Sequence, residues 1–231
     1  MCGGSLSLGR FVAKGHQLNS FFANSRLHIS VLKRNFSHGL VATILWSIRG
    51  SAVPTPNFIK RKTIRDKFYS DAVCVETGTY LGETTKWLSR NFSLVFSLEP
   101  QERLFNFNVR KFRRNTKVRL FGGTSEEKLG EVLSQIKNGA NVNFWLDGHF
   151  SGGMTYEGVT NSPIVQELLF IKSELNRFRS VVIAIDDFRD FQMQIVDGYP
   201  DRSWLVNWAL ENQFSWDVRN DIFFMERLQN Q

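Results

Sequence analysis

From residue 72 onward the chain alternates short apolar runs with longer amphipathic ones, and this alternation limits the possible folds more than any other feature. Five apolar runs cover 72–76, 94–98, 118–121, 142–146 and 181–185. Short, near-continuous apolar runs are typical of strands buried on both faces of a parallel sheet, and the amphipathic runs between them predict crossover helices. We expect these helices at 82–91, 101–114, 125–137, 162–176 and 203–213.

The last two apolar runs, 214–218 and 222–227, are separated only by Arg219, Asn220 and Asp221, which predicts a hairpin. The pattern as a whole therefore predicts an α/β fold. We expect a Rossmann-like, doubly wound sheet that is mostly parallel, with an antiparallel C-terminal strand pair and helices on both faces.

Acidic residues and turn glycines stand at the end of every predicted parallel strand. They are Glu76, Glu99, Gly123-Thr124, Asp147 and Asp186-Asp187. Ligands of such sheets bind beyond the carboxyl ends of the strands, so this repetition over five consecutive units predicts a binding site at one edge of the sheet.

The stretch after the first strand, VETGTYLGETT at residues 75–85, favours a cationic ligand. It lacks the paired glycines of the dinucleotide pattern G-x-G-x-x-G, and it places Glu76 two residues before Gly78. Pyrophosphate prefers a helix N-terminus without acids. S-adenosylmethionine (SAM) instead carries a sulfonium and an ammonium group, and Glu99 suits the hydroxyls of a ribose. Glu99 alone does not discriminate, because dinucleotide-binding folds use such an acid too.

Five motifs in order resemble the class I SAM-dependent methyltransferases: ETGTYLG, SLEP, FGGTS, FWLDGH and IDD. More narrowly, the chain resembles a bacterial group with the pattern VETGTYLG, FWLDGHYSGG and IDD, although Phe150 replaces the expected Tyr. That group is associated with glycan or secondary-metabolite modification. The resemblance covers roughly 54–227 and implies methylation of a small-molecule or glycan hydroxyl. It also implies a SAM site lined by Glu76, Thr77, Gly78, Thr79, Gly82, Glu99, Gly123, Thr124 and Asp147.

Asp147, Asp186 and Asp187 end two strands that we expect to be neighbours. Three carboxylates suit Mg²⁺, and the layout resembles that of metal-dependent O-methyltransferases. The alternative is that Asp147 contacts SAM or substrate directly while Asp186 or Asp187 caps a turn.

His149 follows Asp147 by two residues, and its pKa near neutrality suits a general base for an oxygen nucleophile. A histidine that only hydrogen-bonds to its loop is the other interpretation.

Charge is unevenly distributed along the 231 residues. Residues 1–65 contain ten of the 29 Lys and Arg and no Asp or Glu, which leaves 19 basic against 22 acidic residues in the rest. We therefore expect a basic, acid-free and poorly ordered arm at 1–53 and a methyltransferase domain at 54–231. An upstream start-codon artefact or an organelle-targeting peptide would also explain the arm. Because the domain itself is slightly acidic, nucleic acid is not expected as a partner, and RNA methylation driven by the basic arm stays the alternative.

The two cysteines, Cys2 and Cys74, fit no metal-binding spacing and no disulfide framework, which indicates a reducing, cytoplasmic environment. The longest apolar stretch, 39–48, is too short to span a bilayer. Two alternatives to a methyltransferase remain open: a Rossmann-type nucleotide-binding oxidoreductase, and a non-catalytic binding module with a SAM-type fold. The sequence predicts neither the oligomeric state nor the methyl acceptor itself.

Overall fold

The computed structural model describes residues 43, 44, 46–48, 50, 53–147, 162–192 and 199–228. The chain divides into two compact units. The first comprises Met1–Ala52 and Pro56–Phe58, and its residues 43, 44 and 46–48 have helical backbone. The second comprises Val53–Thr55 and Ile59–Gln231 and contains the sheet. Most of the predicted arm, 1–53, lies outside the described residues, so its character stays a prediction.

Among the described residues of the second unit, seven strands form one sheet. They are β1 (Val73–Thr77), β2 (Leu94–Glu99), β3 (Val118–Gly122), β4 (Asn141–Leu146), β5 (Ser180–Ile185), β6 (Ser215–Arg219) and β7 (Ile222–Leu228). Their order is β3-β2-β1-β4-β5-β7-β6. The first five are parallel, and β7 runs antiparallel to both β5 and β6. This confirms the predicted mostly parallel sheet with an antiparallel C-terminal pair.

In the described part of the chain from residue 53 onward, six helices accompany the strands: α1 (Asn57–Lys67), α2 (Glu83–Asn91), α3 (Glu102–Phe112), α4 (Ser125–Ser134), α5 (Ile164–Glu174) and α6 (Arg202–Glu211). Single-turn 3₁₀ segments follow at Leu175–Arg177 and Phe188–Asp190. The predicted helices are present with ends that differ by a few residues. Ser125 is the first helical residue of α4, and Thr124 is its N-cap, without a side-chain hydrogen bond.

The helices cover both faces of the sheet, because successive strand side chains point to opposite sides. One face packs against α4, α5 and α6 in a cluster that includes Val75, Phe144, Ile183, Leu129, Leu168 and Leu205. The opposite face packs against α1 and α2 in a cluster that includes Cys74, Trp145, Val182, Ile64 and Leu88. Each fully buried aliphatic or aromatic side chain contributes about 2 kcal/mol to folding.

The C-terminal hairpin turns through Asn220 and Asp221, whose φ angles are 52° and 66°. Two consecutive positive φ values characterise the type I′ turn that matches the twist of paired strands, and Asn and Asp tolerate it better than other non-glycine residues. Buried Cys74 carries a free thiol. Within the described ranges, each helix is too short or too polar to cross a membrane.

Candidate active site

The carboxyl ends of the five parallel strands lie side by side along one edge of the sheet. Thr77, the last residue of β1, is paired with Leu146 of β4, which is paired in turn with Ile185 of β5. On the other side of β1, Glu99 of β2 is paired with Gly122 of β3. The polar residues that follow these strands therefore share one edge, as the sequence predicts, and their individual roles stay predictions.

The loop between β1 and α2 turns through three residues with positive φ: Gly78 at 88°, Tyr80 at 49° and Gly82 at 70°. Tyr80 stands where the second glycine of a G-x-G pair would be. The left-handed conformation costs a non-glycine residue about 1 to 2 kcal/mol. Glu99 supports it, because its Oε2 accepts a hydrogen bond from the Tyr80 backbone N–H at 2.7 Å. The loop is also held to β2, where the N–H groups of Gly78 and Thr79 donate to the Leu98 carbonyl at 3.1 and 3.0 Å.

Glu76 is buried at the end of β1, with 1% of its surface exposed. Its Oε2 accepts hydrogen bonds from Thr85 Oγ1 at 2.5 Å and from Ser97 Oγ at 2.6 Å. Burial raises the pKa of Glu76 to about 7, although these hydrogen bonds and the charge of Arg61 act in the opposite direction. A carboxyl group in this state can take up a negative charge when a cation arrives.

Glu99 is also buried, and both of its carboxylate oxygens accept hydrogen bonds from backbone N–H groups. Besides the bond to Tyr80, its Oε1 accepts from the Gln101 N–H at 3.0 Å. Burial raises the pKa of Glu99 above its ordinary value, against the effect of these two bonds. Each carboxylate oxygen retains a second lone pair, so Glu99 can position the loop and still accept from a ribose hydroxyl.

Gly82 and Gly123 have different structural reasons to be glycine. A Cβ at Gly82 would lie 2.4 Å from Asn108 Oδ1 and 2.7 Å from a ring carbon of Phe112, so the loop packs against α3 only without a side chain. Gly123 has a φ of 133°, and a Cβ there would meet the flexible side chain of Lys128 at 2.9 Å. Gly82 is therefore needed for packing, whatever it does for a cofactor.

Asp147, Asp186 and Asp187 converge at the ends of β4 and β5. One ligand atom from each lies within 4.8 Å of the others. Oxygen atoms at this spacing are the kind of donor set that a hard cation such as Mg²⁺ takes. The predicted convergence of the three carboxylates is thus present.

A lysine ammonium group already contacts this acidic cluster. Lys60 Nζ of α1 lies 2.5 Å from Asp186 Oδ1 and 2.6 Å from Asp187 Oδ1. Burial by itself would lower the pKa of Lys60, but Asp186 and Asp187 together raise it above its ordinary value, so the group is charged. In this arrangement the two carboxylate oxygens that contact Lys60 cannot bind a metal ion at the same time.

Arg189 forms the outer layer of the same cluster. Its Nη1 donates to Asp187 Oδ1 at 2.7 Å and also pairs with Asp221 at the hairpin turn. The ends of β5 and β7 are thereby joined through one guanidinium group. Asp187 adopts a φ of 52°, a conformation that this network supports.

The predicted general base, His149, lies outside the described residues. A small cavity beside Asp186 is lined in part by Leu146, Ile185 and Tyr199. Burial raises the pKa of Tyr199, and the nearby carboxylates Asp190, Asp187 and Asp147 add to the effect. The phenol therefore stays protonated and lies on the same side of the molecule as the acidic cluster.

Sequence patterns did not identify several polar residues of this edge: Lys60, Arg61, Thr85, Ser97 and Arg189. Lys60 and Arg61 belong to the basic, acid-free stretch 1–65, in which no pattern marks a buried residue, and only the fold shows that Lys60 is buried. Thr85 and Ser97 resemble ordinary helix and strand residues. The Nε of Arg61 is buried and has no hydrogen-bond partner in the part of the chain that the structure describes.

Comparison with known proteins relates the chain by structure alone: no protein-family model and no curated sequence matches it. A protein provisionally named an rRNA methylase from Clostridium thermocellum superimposes with a TM-score of 0.50 at 10% identity, covering 76% of this chain and 97% of that one. A provisionally named methyltransferase from Streptococcus mutans, bound to S-adenosylhomocysteine (SAH), gives 0.47 at 14% identity, over 76% and 98%. An rRNA methylase from Streptococcus thermophilus gives 0.45 at 12%, over 78% and 99%.

These comparisons correct one prediction. Nucleic acid was not expected as a partner, and a small molecule or glycan was expected instead; this expectation is wrong as stated, since the chain of the same fold from Clostridium thermocellum is provisionally named an rRNA methylase. The slightly acidic net charge of the domain is not an argument against RNA, because net charge describes a whole surface, whereas RNA binding depends on where basic groups cluster. The SAM prediction agrees with the SAH-bound neighbour. The chain has the fold of the class I SAM-dependent methyltransferases.

Proposed function

We propose that this protein is a SAM-dependent methyltransferase whose cofactor lies along the ends of β1, β2 and β3. The observation that carries the proposal is the buried carboxyl group of Glu76 directly beneath the glycine loop, with Glu99 one strand away. The residues assigned to the cofactor are Glu76, Thr77, Gly78, Thr79, Gly82, Glu99, Gly123, Thr124 and Asp147.

The charges at the loop favour SAM over a dinucleotide. The N-terminal turn of α2 contains Glu83, and Glu76 lies below it. Two carboxylates oppose the binding of a pyrophosphate at this helix terminus. They favour the sulfonium and ammonium groups of SAM. A nucleotide-binding oxidoreductase is accordingly the weaker candidate.

Arg61 supplies the complementary charge for the carboxylate of the same cofactor. Burial lowers its pKa, while the nearby carboxylates of Glu83 and Glu76 act in the opposite direction, so the group stays cationic. Its buried Nε lacks a partner among the described residues. An arriving carboxylate would satisfy that donor.

When bound, SAM supplies a methyl group attached to a positively charged sulfur. The residues at the ends of β4 and β5 hold the acceptor close to that methyl group and in line with it. For an oxygen acceptor, His149 accepts the hydroxyl proton and Asp147 orients the acceptor or the cofactor. The narrower resemblance to glycan- and metabolite-modifying enzymes rests on the motifs alone.

Isothermal titration calorimetry with SAM and with NAD tests the cofactor. We expect SAM to bind and NAD not to bind. Glu99→Ala should weaken SAM binding by about tenfold or more, since it removes the ribose acceptor and frees the loop at Tyr80. Glu102→Ala is the matched control, because Glu102 is exposed three residues further on. Binding of NAD, or equal effects of the two substitutions, would contradict the assignment.

For the acceptor, we propose a hydroxyl oxygen of RNA. The support is the stretch 1–56 before α1, with six Lys and Arg and no Asp or Glu, since such a segment attracts phosphates. In the full chain, Lys33→Gln with Arg34→Gln should weaken binding of a labelled RNA hairpin and lower the salt slope by about two. Arg113→Gln with Arg114→Gln, an adjacent exposed pair after α3, is the control. A SAM-binding protein that fails to bind RNA at low salt would refute the acceptor but not the cofactor.

The buried free thiol of Cys74 supports a reducing, cytoplasmic location, which we retain as a proposal.

A further inference from the structure

The acidic cluster at the ends of β4 and β5 contains its own cation. Lys60 is buried, with 6% of its surface exposed, and its ammonium group contacts both Asp186 and Asp187 at hydrogen-bond distance. The lysine comes from α1, 126 residues before Asp186 in the chain. Its position is a product of the fold and not of a local charge pattern.

The two carboxylate oxygens that face Lys60 have no lone pair left for a metal. Asp186 Oδ1 accepts from Lys60 and, at 2.8 Å, from the backbone N–H of Asp187. Asp187 Oδ1 accepts from Lys60 and, at 2.7 Å, from Arg189. A carboxylate oxygen offers about two acceptor positions, so a divalent cation could bind either of these two oxygens only by displacing one of their donors.

The lysine is held in place by its helix. Ile64, the next turn of α1, belongs to the apolar core, and Phe68 just beyond the helix packs with it. Thr63 Oγ1 accepts a hydrogen bond from Asn220 Nδ2 of the hairpin turn at 2.7 Å. Moving Lys60 out of the cluster would therefore require α1 to move, or the side chain to leave a site that shields it from water.

We propose that Lys60 occupies the position that a divalent metal takes in metal-dependent O-methyltransferases, so that this protein binds no metal at Asp147, Asp186 and Asp187. Lys60 is a positioning residue: it neutralises the paired carboxylates and fixes the end of β5 beside the acceptor. Its role in methyl transfer rests on the proposed function. The exclusion of metal does not.

Mn²⁺ titration of the full chain, followed by the electron paramagnetic resonance signal of free Mn²⁺, tests the proposal. We expect the wild type to bind no Mn²⁺ at micromolar concentrations. Lys60→Ala removes the ammonium group from both carboxylates, leaves Arg189 beside Asp187, and should bind Mn²⁺ at least about tenfold more tightly than the wild type. Adding Asp187→Asn to Lys60→Ala should abolish that gain.

Lys67→Ala is the matched control. Lys67 lies on the same helix and pairs with Asp217 at 2.9 Å, away from the cluster. It should leave Mn²⁺ binding as weak as in the wild type. Circular dichroism checks that each variant is folded. If Lys60→Ala does not fold, the wild-type titration alone tests whether the acidic cluster binds Mn²⁺. Micromolar Mn²⁺ binding by the wild type that disappears on Asp186→Asn would overturn the proposal.

Calorimetry with SAM in EDTA and in Mg²⁺ separates this inference from the proposed function. We expect equal affinity in the two buffers. Absence of SAM binding in both would refute the methyltransferase assignment while leaving the metal result intact. Binding of SAM in Mg²⁺ alone would refute the metal-free site.

Discussion

At the scale of single residues, the titration of Glu76 should change the free energy of unfolding of the whole protein. Burial raises its pKa from 4.5 to about 7 in the folded chain. Between these values the folded state holds a proton that the unfolded state has released. The contribution of Glu76 to stability is therefore complete below about pH 4.5 and is lost as the pH rises through about 7.

Glu76→Gln should remove this dependence. The free energy of unfolding of the wild type should fall by about 3 kcal/mol between pH 4.5 and 7.5, and that of the variant should stay flatter over the same range. Urea denaturation at several pH values measures both. Glu102→Gln, at an exposed position, should keep the wild-type slope. A variant with an unchanged slope would mean that Glu76 titrates normally.

At the scale of secondary-structure elements, the junction between the glycine loop and α3 depends on Gly82. Gly82→Ala forces a side chain into a left-handed residue and into contact with Asn108 and Phe112. We expect a loss of about 3 kcal/mol, measured as a lower urea midpoint. Gly139→Ala is the control, since Gly139 has a φ of 75° but open space around it, and should cost only about 1 kcal/mol. Equal losses would show that the close packing is unimportant.

The elements themselves were largely predictable, with one exception. Strands such as β4 and β5 are buried along nearly their whole length and are mostly apolar, because both faces of the sheet are covered, and the pattern is therefore visible in the sequence. Helix α1 was not predicted. It buries only Lys60, Thr63 and Ile64, so it lacks an apolar stripe such as the one that Leu129, Val132 and Leu133 form in α4.

At the scale of the whole molecule, ligand binding to the folded state should raise thermal stability. At a SAM concentration of about 100 times the dissociation constant, the gain is about 2.7 kcal/mol. For a domain of this size that corresponds to a rise in Tm of about 5 to 10 °C, measured by differential scanning calorimetry. NAD at the same concentration should leave Tm unchanged. A larger shift with NAD than with SAM would favour the oxidoreductase.

The sequence by itself determined the sheet and the placement of acids and glycines at its carboxyl edge, because strand burial and strand ends are local patterns. It predicted that Glu76 and Glu99 stand at this edge of the sheet and that Asp147 converges with Asp186 and Asp187. Only the tertiary structure decided which cation meets those carboxylates. Lys60 and its partners are 126 residues apart or more, and an ion pair over that separation exists only once α1 has packed against the sheet.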